Sequence, residues 1–206
     1  MTQVVLEAAG VRLTADVTVP ADAVGVVLFA HGSGSSRHSP RNRAVAAALN
    51  DRGLATVLVD LLTPTEDAHL RFDIGLLSDR LIGAIDHPAP ETTGLPLGLF
   101  GASTGGAAAL VAAAARPTQV RAVVSRGGRP DLAGPALPQV KAPTLLLVGE
   151  HDPTVVDLNH RARQAMTAPT ELRIVPGASH LFEEPGALEE VALQAADWFT
   201  GALPTP

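Results

Sequence analysis

One serine of this chain stands in a sequence context that would make its hydroxyl a nucleophile. Ser103 is at the centre of G-A-S-T-G, Gly101 to Gly105, directly after the apolar run Leu97 to Phe100 and before an alanine-rich segment. Glycines two residues before and after the serine let a strand and a helix approach closely, and the turn then lifts the serine oxygen above the sheet. The same glycines would ease any tight turn, but the order strand, turn, helix favours a nucleophile.

A serine hydroxyl needs a base, and the base needs an acid that orients it. Of the seven histidines, His180 fits best, because it lies between the last apolar run and the last helical segment. Asp152 follows the run Thr144 to Val148, at the exit of another strand, and is the preferred acid. An aspartate there could instead cap the next helix. The rival acids are Asp157, Glu150 and Asp131.

A glycine- and serine-rich loop, His31 to Ser36, follows an earlier apolar run. Small residues let backbone N–H groups face a substrate oxygen, so we assign the two oxyanion-hole donors to the N–H groups of Ser33 and Thr104. Gly34 is a possible substrate-binding position. The loop also resembles a phosphate cradle, but it lacks the lysine and the glycine spacing of the known phosphate loops. His31 is interpreted as a residue that organises the loop.

Arg126 lies just after a further apolar run, on a loop that begins Ser125-Arg126-Gly127. Its guanidinium group is suited to a substrate carboxylate. The alternative is that it ties the loop to Asp131 or Glu150. Both interpretations stay open from the sequence.

Short apolar runs alternate with amphipathic segments along the chain. The first two strands, Val4 to Ala8 and Val11 to Val19, would form an antiparallel hairpin around Ala9-Gly10. Solid apolar runs indicate strands that are buried on both faces of a parallel sheet, and the segments between them are helical, which gives an α/β fold with helices on both faces and no large lid domain. The runs are 25–30, 55–59, 97–100, 120–124, 144–148 and 171–175, and the helices are 42–52, 72–86, 104–115, 155–166 and 186–199.

The 206 residues suit a single domain, predicted over 1–206. There is no cysteine, so disulfides and thiolate chemistry are excluded. A formal charge of −6 without a basic run does not favour nucleic acid. We expect a cytoplasmic protein without a leader segment or a membrane span, because no apolar stretch approaches ~20 residues. The oligomeric state stays open.

A family resemblance extends over nearly the whole chain. It rests on HGSGSSRHSPRN from His31, GASTGG from Gly101, VSRGGRPDLA from Val124, GEHD from Gly149 and PGASHLFEEPGALEEV from Pro176. The chain resembles a standalone member of the dienelactone-hydrolase-like branch of the α/β-hydrolases, which also have the order serine, acid, histidine. Some similar bacterial proteins carry a fused phosphoribosyltransferase domain, which we do not expect here.

The resemblance implies an eight-stranded, mostly parallel sheet and cleavage of an ester-like bond through an acyl-enzyme. It also implies that Ser103, Asp152 and His180 form the triad. Dienelactone hydrolases use cysteine as the nucleophile, and this chain has serine, so only the fold and the general chemistry carry over.

The predicted function is therefore that of a serine hydrolase acting on a carboxylic ester or a lactone. No cofactor and no metal are predicted, and the predicted partner is a small ester-like molecule. The alternatives are a non-catalytic interaction module with the same fold, and an acyltransferase or perhydrolase that uses the same three residues.

Overall fold

Eight strands and five α-helices make up the computed structural model, which describes residues 1–66 and 68–203. The strands are β1 (Thr2–Ala8), β2 (Val11–Thr18), β3 (Gly25–Ala30), β4 (Leu54–Val59), β5 (Leu97–Ala102), β6 (Val120–Arg126), β7 (Thr144–Gly149) and β8 (Thr170–Val175). The helices are α1 (Pro40–Asp51), α2 (Ile74–Asp86), α3 (Thr104–Ala115), α4 (Pro153–Ala165) and α5 (Ala187–Ala202). Short 3₁₀ helices cover Ala68–Phe72, Pro90–Thr92 and Pro130–Gln139.

All eight strands form one sheet in the order β1-β2-β4-β3-β5-β6-β7-β8. The first two strands pair antiparallel through a turn in which Ala9 and Gly10 both have positive φ, as a two-residue hairpin turn requires. β2 also runs antiparallel to β4, and the remaining pairs are parallel. The predicted fold class, with its N-terminal hairpin, is confirmed.

Side chains alternate between the two faces of the central strands and fill two separate cores. In β3, Val26 and Leu28 pack with α2 and α3 on one face, while Val27 and Phe29 pack with α1 and α5 on the other. Strands covered on both faces must be apolar throughout, which explains the unbroken runs in the sequence. The parallel strands therefore end together at one edge of the sheet, and their loops meet there.

Three features differ from the predicted organisation. β5 and β6 run two residues further than predicted, so that Arg126 is the last residue of β6 rather than a loop residue. The run Glu171 to Val175 is not buried on both faces, because β8 is the outer strand of the sheet. The Pro/Gly-rich segment Gly127 to Pro143, predicted to be a long loop that replaces a helix or carries a very short one, has two short 3₁₀ helices over 130–139, separated by a kink at Gly134 with φ 48°. Of the predicted domain 1–206, residues 67 and 204–206 lie outside the described residues.

Candidate active site

Ser103 lies in a sharp turn between β5 and α3. Its backbone has φ 51° and ψ −120°. Residues other than glycine rarely adopt this conformation, which costs on the order of 1–3 kcal/mol. The turn is possible because a Cβ on Gly105 would lie 2.1 Å from the Ala30 oxygen, and one on Gly101 would lie 2.4 Å from the Gly105 oxygen. The serine occupies the N-cap position of α3, yet its side chain makes no capping hydrogen bond. The hydroxyl is therefore available for other chemistry.

Hydrogen bonds from the neighbouring β6 loop hold this strained turn in place. The N–H of Ser103 donates to the Arg126 oxygen at 3.2 Å, and the N–H of Arg129 donates to the Ser103 oxygen at 3.2 Å. The N–H of Gly106 also donates to the Ser103 oxygen, at 3.0 Å. The position of the serine is thus set by strand β6 as well as by the turn between β5 and α3.

His180 and Asp152 come together from two different loops. The Nδ1 atom of His180 lies 2.6 Å from Oδ2 of Asp152, a hydrogen bond between residues 28 positions apart. A carboxylate can only accept, so Nδ1 carries the proton and Nε2 is left as the basic nitrogen. Asp152 does occupy the N-cap position of α4, but its side chain makes no capping hydrogen bond there. Its carboxylate is directed to the histidine instead.

The rival acids are all engaged elsewhere or exposed. Glu150 accepts a hydrogen bond from the N–H of Gly177 at 2.7 Å, and Asp131 forms an ion pair with Arg129 at 2.7 Å. Asp157 is exposed on α4. Of the four candidate acids, Asp152 is the one that contacts His180.

The loop that carries His180 packs against the end of β6. A Cβ at Gly127 would lie 3.6 Å from Cε1 of His180, and Phe182 two residues further on is buried. Glu184 accepts a hydrogen bond from the N–H of Ser179 at 3.0 Å, and this bond lowers the pKa of the carboxyl group. The segment at the end of β6 therefore adjoins both Ser103 and His180.

The loop after β3 passes directly over the serine. A Cβ at Gly32 would lie 3.1 Å from Cβ of Ser103, so the residue before Ser33 packs against the serine. Buried His31 fixes this loop, because Nδ1 bonds the Gly32 oxygen at 3.0 Å and Nε2 accepts from the N–H of Leu61 at 3.1 Å. Burial lowers the pKa of His31, so the ring stays neutral and keeps both bonds.

The other predicted oxyanion donor is the N–H of Thr104. Thr104 is the first residue of α3. The N–H groups of a first helical turn have no acceptor within the helix, and they carry its positive dipole end. Thr104 directly follows Ser103 in the chain, and Gly32, which precedes Ser33, lies close to the Ser103 side chain.

An ion-pair network that the sequence did not reveal supports the loop after β3. Arg37 pairs with Asp60, and its guanidinium also lies 3.4 Å from Asp16. Asp16 in turn pairs with Arg43 at 3.0 Å. These four residues lie on β2, on the loops after β3 and β4 and on α1, so no local motif in the sequence could have found them.

A groove of about 600 Å³ runs along this loop. Ser33, Gly34 and Arg41 are among its lining residues. A larger cavity of about 800 Å³ lies at the opposite, amino edge of the sheet, around Leu28 and Leu97. Because the catalytic candidates lie at the carboxyl edge, the larger cavity is not part of the candidate active site.

Arg126 is buried beneath the site, with 9% of its surface exposed. Its Nη2 donates to Oδ1 of Asn42 on α1 at 3.3 Å. The alternative that it ties the loop to Asp131 or Glu150 is wrong, because the side chain turns to the α1 face of the sheet. Burial first, and then the charge of Arg41, lower its pKa to about 10. The sequence did not identify Asn42 as the partner of Arg126. Its position shortly after the loop His31 to Ser36 was the one available indication that it lies near the site.

Among residues 1–66 and 68–203, no three His, Asp or Glu side chains gather as a metal ion would require. In the same part of the chain, every helix is too short or too polar to cross a bilayer.

The eight-stranded sheet, the turn at Ser103 and the loops around it define an α/β-hydrolase. Two family models match the sequence: that of the dienelactone hydrolase family over residues 78–201 and that of the serine aminopeptidases S33 over residues 21–128. The chain belongs to the dienelactone hydrolase family, and it is a hydrolase of the α/β fold.

Solved structures agree with this assignment. A dienelactone hydrolase from Anabaena variabilis ATCC 29413 is 56% identical, with a TM-score of 0.95 over 98% of this chain and 97% of that one. Est1E from Butyrivibrio proteoclasticus shares the fold at 14% identity, with a TM-score of 0.83 over 98% of both chains.

Two proteins from Mycobacterium tuberculosis, provisionally named phosphoribosyl transferases, are 55% identical over 99% of this chain. The chain spans about half the length of these curated relatives, 47%.

Proposed function

We propose that this hydrolase cleaves a carboxylic ester or a lactone through an acyl-enzyme on Ser103. The observation that supports this proposal most directly is the 2.6 Å hydrogen bond between His180 and Asp152, made in preference to helix capping. A pure scaffold has no physical need for a histidine held in one tautomer at the same edge of the sheet as a strained serine. A non-catalytic interaction module is therefore the weaker hypothesis.

In the first half of the reaction, Nε2 of His180 takes the proton of the Ser103 hydroxyl while Oγ attacks the ester carbonyl carbon. The N–H groups of Ser33 and Thr104 stabilise the resulting oxyanion. The bond from carbon to the leaving oxygen then breaks, and His180 gives its proton to that oxygen. An ester gives a free alcohol and an acyl group on Ser103. A lactone gives a single product, an acyl group on Ser103 that carries the new hydroxyl at the other end of the opened ring.

Water completes the reaction by the same steps. His180 takes a proton from water, the hydroxide oxygen adds to the acyl carbon, and the bond to Ser103 Oγ breaks as His180 returns the proton to it. Asp152 stays ionised throughout and stabilises the imidazolium. An alcohol or a peroxide in place of water would give acyl transfer or perhydrolysis, so product analysis with these acceptors present separates the three outcomes.

We do not assign phosphoribosyl transfer to this chain. It corresponds to 47% of the Mycobacterium proteins that bear this name, and over its own length it matches hydrolase families. What the remainder of those proteins does is a separate question.

The proposal is tested by labelling with a fluorophosphonate probe, together with turnover of short-chain p-nitrophenyl esters. Both should disappear in Ser103→Ala. The matched control is Ser78→Ala, a buried serine on α2 whose hydroxyl only bonds its own helix at Ile74. If folded wild type shows neither labelling nor turnover, the serine hydrolase proposal is wrong and the interaction module is favoured.

A further inference from the structure

Asn159 is a polar side chain in the middle of the buried face of α4. The buried residues of this helix are Val155, Asn159 and Ala162, which share one face at helical spacing. A fully buried asparagine is costly there, because its amide loses its hydration and because asparagine favours a helix less than alanine does. Its Oδ1 atom is buried without a hydrogen-bond partner among the described residues. The helix itself therefore has no need of an asparagine at this position.

The amide nitrogen of Asn159 connects α4 to the end of β6. Nδ2 donates to the Gly128 oxygen at 3.0 Å, across 31 positions of the sequence, and to the Val155 oxygen of its own helix at 2.8 Å. Both acceptors are carbonyl oxygens, so the amide can bond them only through its nitrogen. The side chain that holds the Gly128 carbonyl thus lies two helical turns after Asp152, the N-cap residue of α4.

The segment 126–129, which receives this bond, adjoins two of the proposed catalytic residues. Each end of the segment is hydrogen-bonded to the backbone of Ser103 at 3.2 Å. Its middle lies against the loop of His180, since a Cβ at Gly127 would come within 3.2 Å of the His180 oxygen. Asn159 therefore links the segment that contacts the nucleophile and the base to the helix that follows the candidate acid.

Two glycines leave this segment without side chains that could fix it by packing. Gly127 has φ 52°, in the left-handed region, and a Cβ at Gly128 would lie 1.9 Å from Oγ of Ser125. The position of the segment therefore depends on its hydrogen bonds. The N–H of Gly127 donates to the Leu147 oxygen at 2.7 Å, which ties the segment to β7, and Asn159 ties it to α4.

We propose that Asn159 is a positioning residue for the proposed hydrolysis at Ser103, on which this inference rests. By holding the Gly128 carbonyl, it fixes the segment 126–129, and with it the turn at Ser103, relative to α4. The pair of Asp152 and His180 then lies where Nε2 can reach the serine hydroxyl. Asn159 is fully buried, so it acts through this segment and not on the substrate. Its loss should lower turnover and leave substrate binding unchanged.

The test compares Asn159→Ala with Asn50→Ala as the matched control. Nδ2 of Asn50, on α1, donates to the Leu54 oxygen at 2.9 Å, so both changes remove a hydrogen bond from an asparagine amide to a backbone carbonyl. Leu54 begins β4, so the control lies at the amino edge of the sheet, away from the site. With p-nitrophenyl butyrate we expect kcat of Asn159→Ala to fall by about 10- to 100-fold while KM stays within about threefold, and Asn50→Ala to keep both values.

Fluorophosphonate labelling separates a displaced serine from an unfolded one. We express kcat per serine labelled after long incubation, because a displaced serine labels slowly but completely, whereas an unfolded fraction does not label. Asn159→Leu is the second variant, since leucine is close to asparagine in shape and suits a buried helix face, and so it loses the bond to Gly128 at less cost to folding.

Two kinetic results would overturn the positioning role. One is a kcat per labelled site within about threefold of the wild type in either variant of Asn159. The other is a loss in Asn50→Ala as large as that in Asn159→Ala, because turnover would then respond to any lost hydrogen bond. Wild type without labelling or turnover would contradict the proposed hydrolysis itself, so the two failures are distinguishable.

Crystal structures of the wild type and of Asn159→Leu give a reading that does not depend on activity. In the variant we expect the segment 126–129 to move relative to α4, and the distance from Nε2 of His180 to Oγ of Ser103 to increase by about 0.5 Å or more. A segment and a distance that both stay as in the wild type would overturn the proposal, whether or not the protein turns over an ester.

Discussion

Replacing Asp152 with asparagine separates the two roles that this position can have. Asparagine caps a helix about as well as aspartate does, so an Asp152 that only capped α4 would be replaced without loss. In the proposed triad the same change removes the charge beside His180 and offers an N–H where Nδ1 needs an acceptor. The two roles therefore predict opposite results for one conservative substitution.

The size of the effect follows from the geometry. With Nδ1 and Oδ2 2.6 Å apart, the charges of an imidazolium and a carboxylate are centred about 4 Å apart, and they interact by ~4 kcal/mol at the effective dielectric constant of a partly exposed site. The carboxylate is 17% exposed and the imidazole 39%, so the larger value for a dry interior does not apply. A loss of ~4 kcal/mol from the transition state corresponds to about a 10³-fold lower kcat, and the wrong tautomer would lower it further.

The assay is turnover of p-nitrophenyl butyrate by Asp152→Asn, together with the midpoint of thermal unfolding. We expect kcat to fall by about 10³-fold or more while the unfolding midpoint stays within about 2 °C. Asp157→Asn, the same change at an exposed position of α4, is the control and should match the wild type in both measurements. A kcat for Asp152→Asn within about threefold of the wild type would refute the proposed role, because neither the lost charge nor the tautomer would then matter.

Two further predictions concern stability. Gly105→Ala would put a Cβ 2.1 Å from the Ala30 oxygen and should cost more than about 3 kcal/mol of unfolding free energy, whereas Gly201→Ala in α5 meets nothing within 4 Å and should stabilise by about 0.5–1 kcal/mol in chemical denaturation. Glu66→Gln leaves buried Arg80 unpaired and should cost about 3 kcal/mol at pH 7. The pKa of Glu66 is lowered by Arg80 from 4.5 to about 2, so its contribution is present above pH 4.5 and lost toward pH 2. Denaturation curves at several pH values should therefore converge for wild type and Glu66→Gln in that window, and a constant difference would contradict this origin.

Features that depend on a few neighbouring residues could be predicted from the sequence. The turn at Ser103 needs glycine two residues before and after it, and Gly101 and Gly105 meet that requirement. The hairpin depends on Ala9-Gly10 in the same local way. The solid apolar runs indicated central strands because burial on both faces leaves no position for a polar side chain.

The other features of the fold and the candidate site could not be predicted from neighbouring residues. They depend on which strands are neighbours in the sheet and on which face of the sheet each side chain lies. Several acids followed strand ends in the sequence, and only the packing of the loops after β7 and β8 brought Asp152 to His180. Glu171 to Val175 looked like its buried counterparts, yet it forms the outer strand. Arg126 bonds Asn42, which lies 84 positions away on a helix that covers the same face of the sheet. The physical reason is that local backbone conformation is set by adjacent residues, whereas side-chain partners are set by contacts between distant segments that exist only once the sheet has assembled.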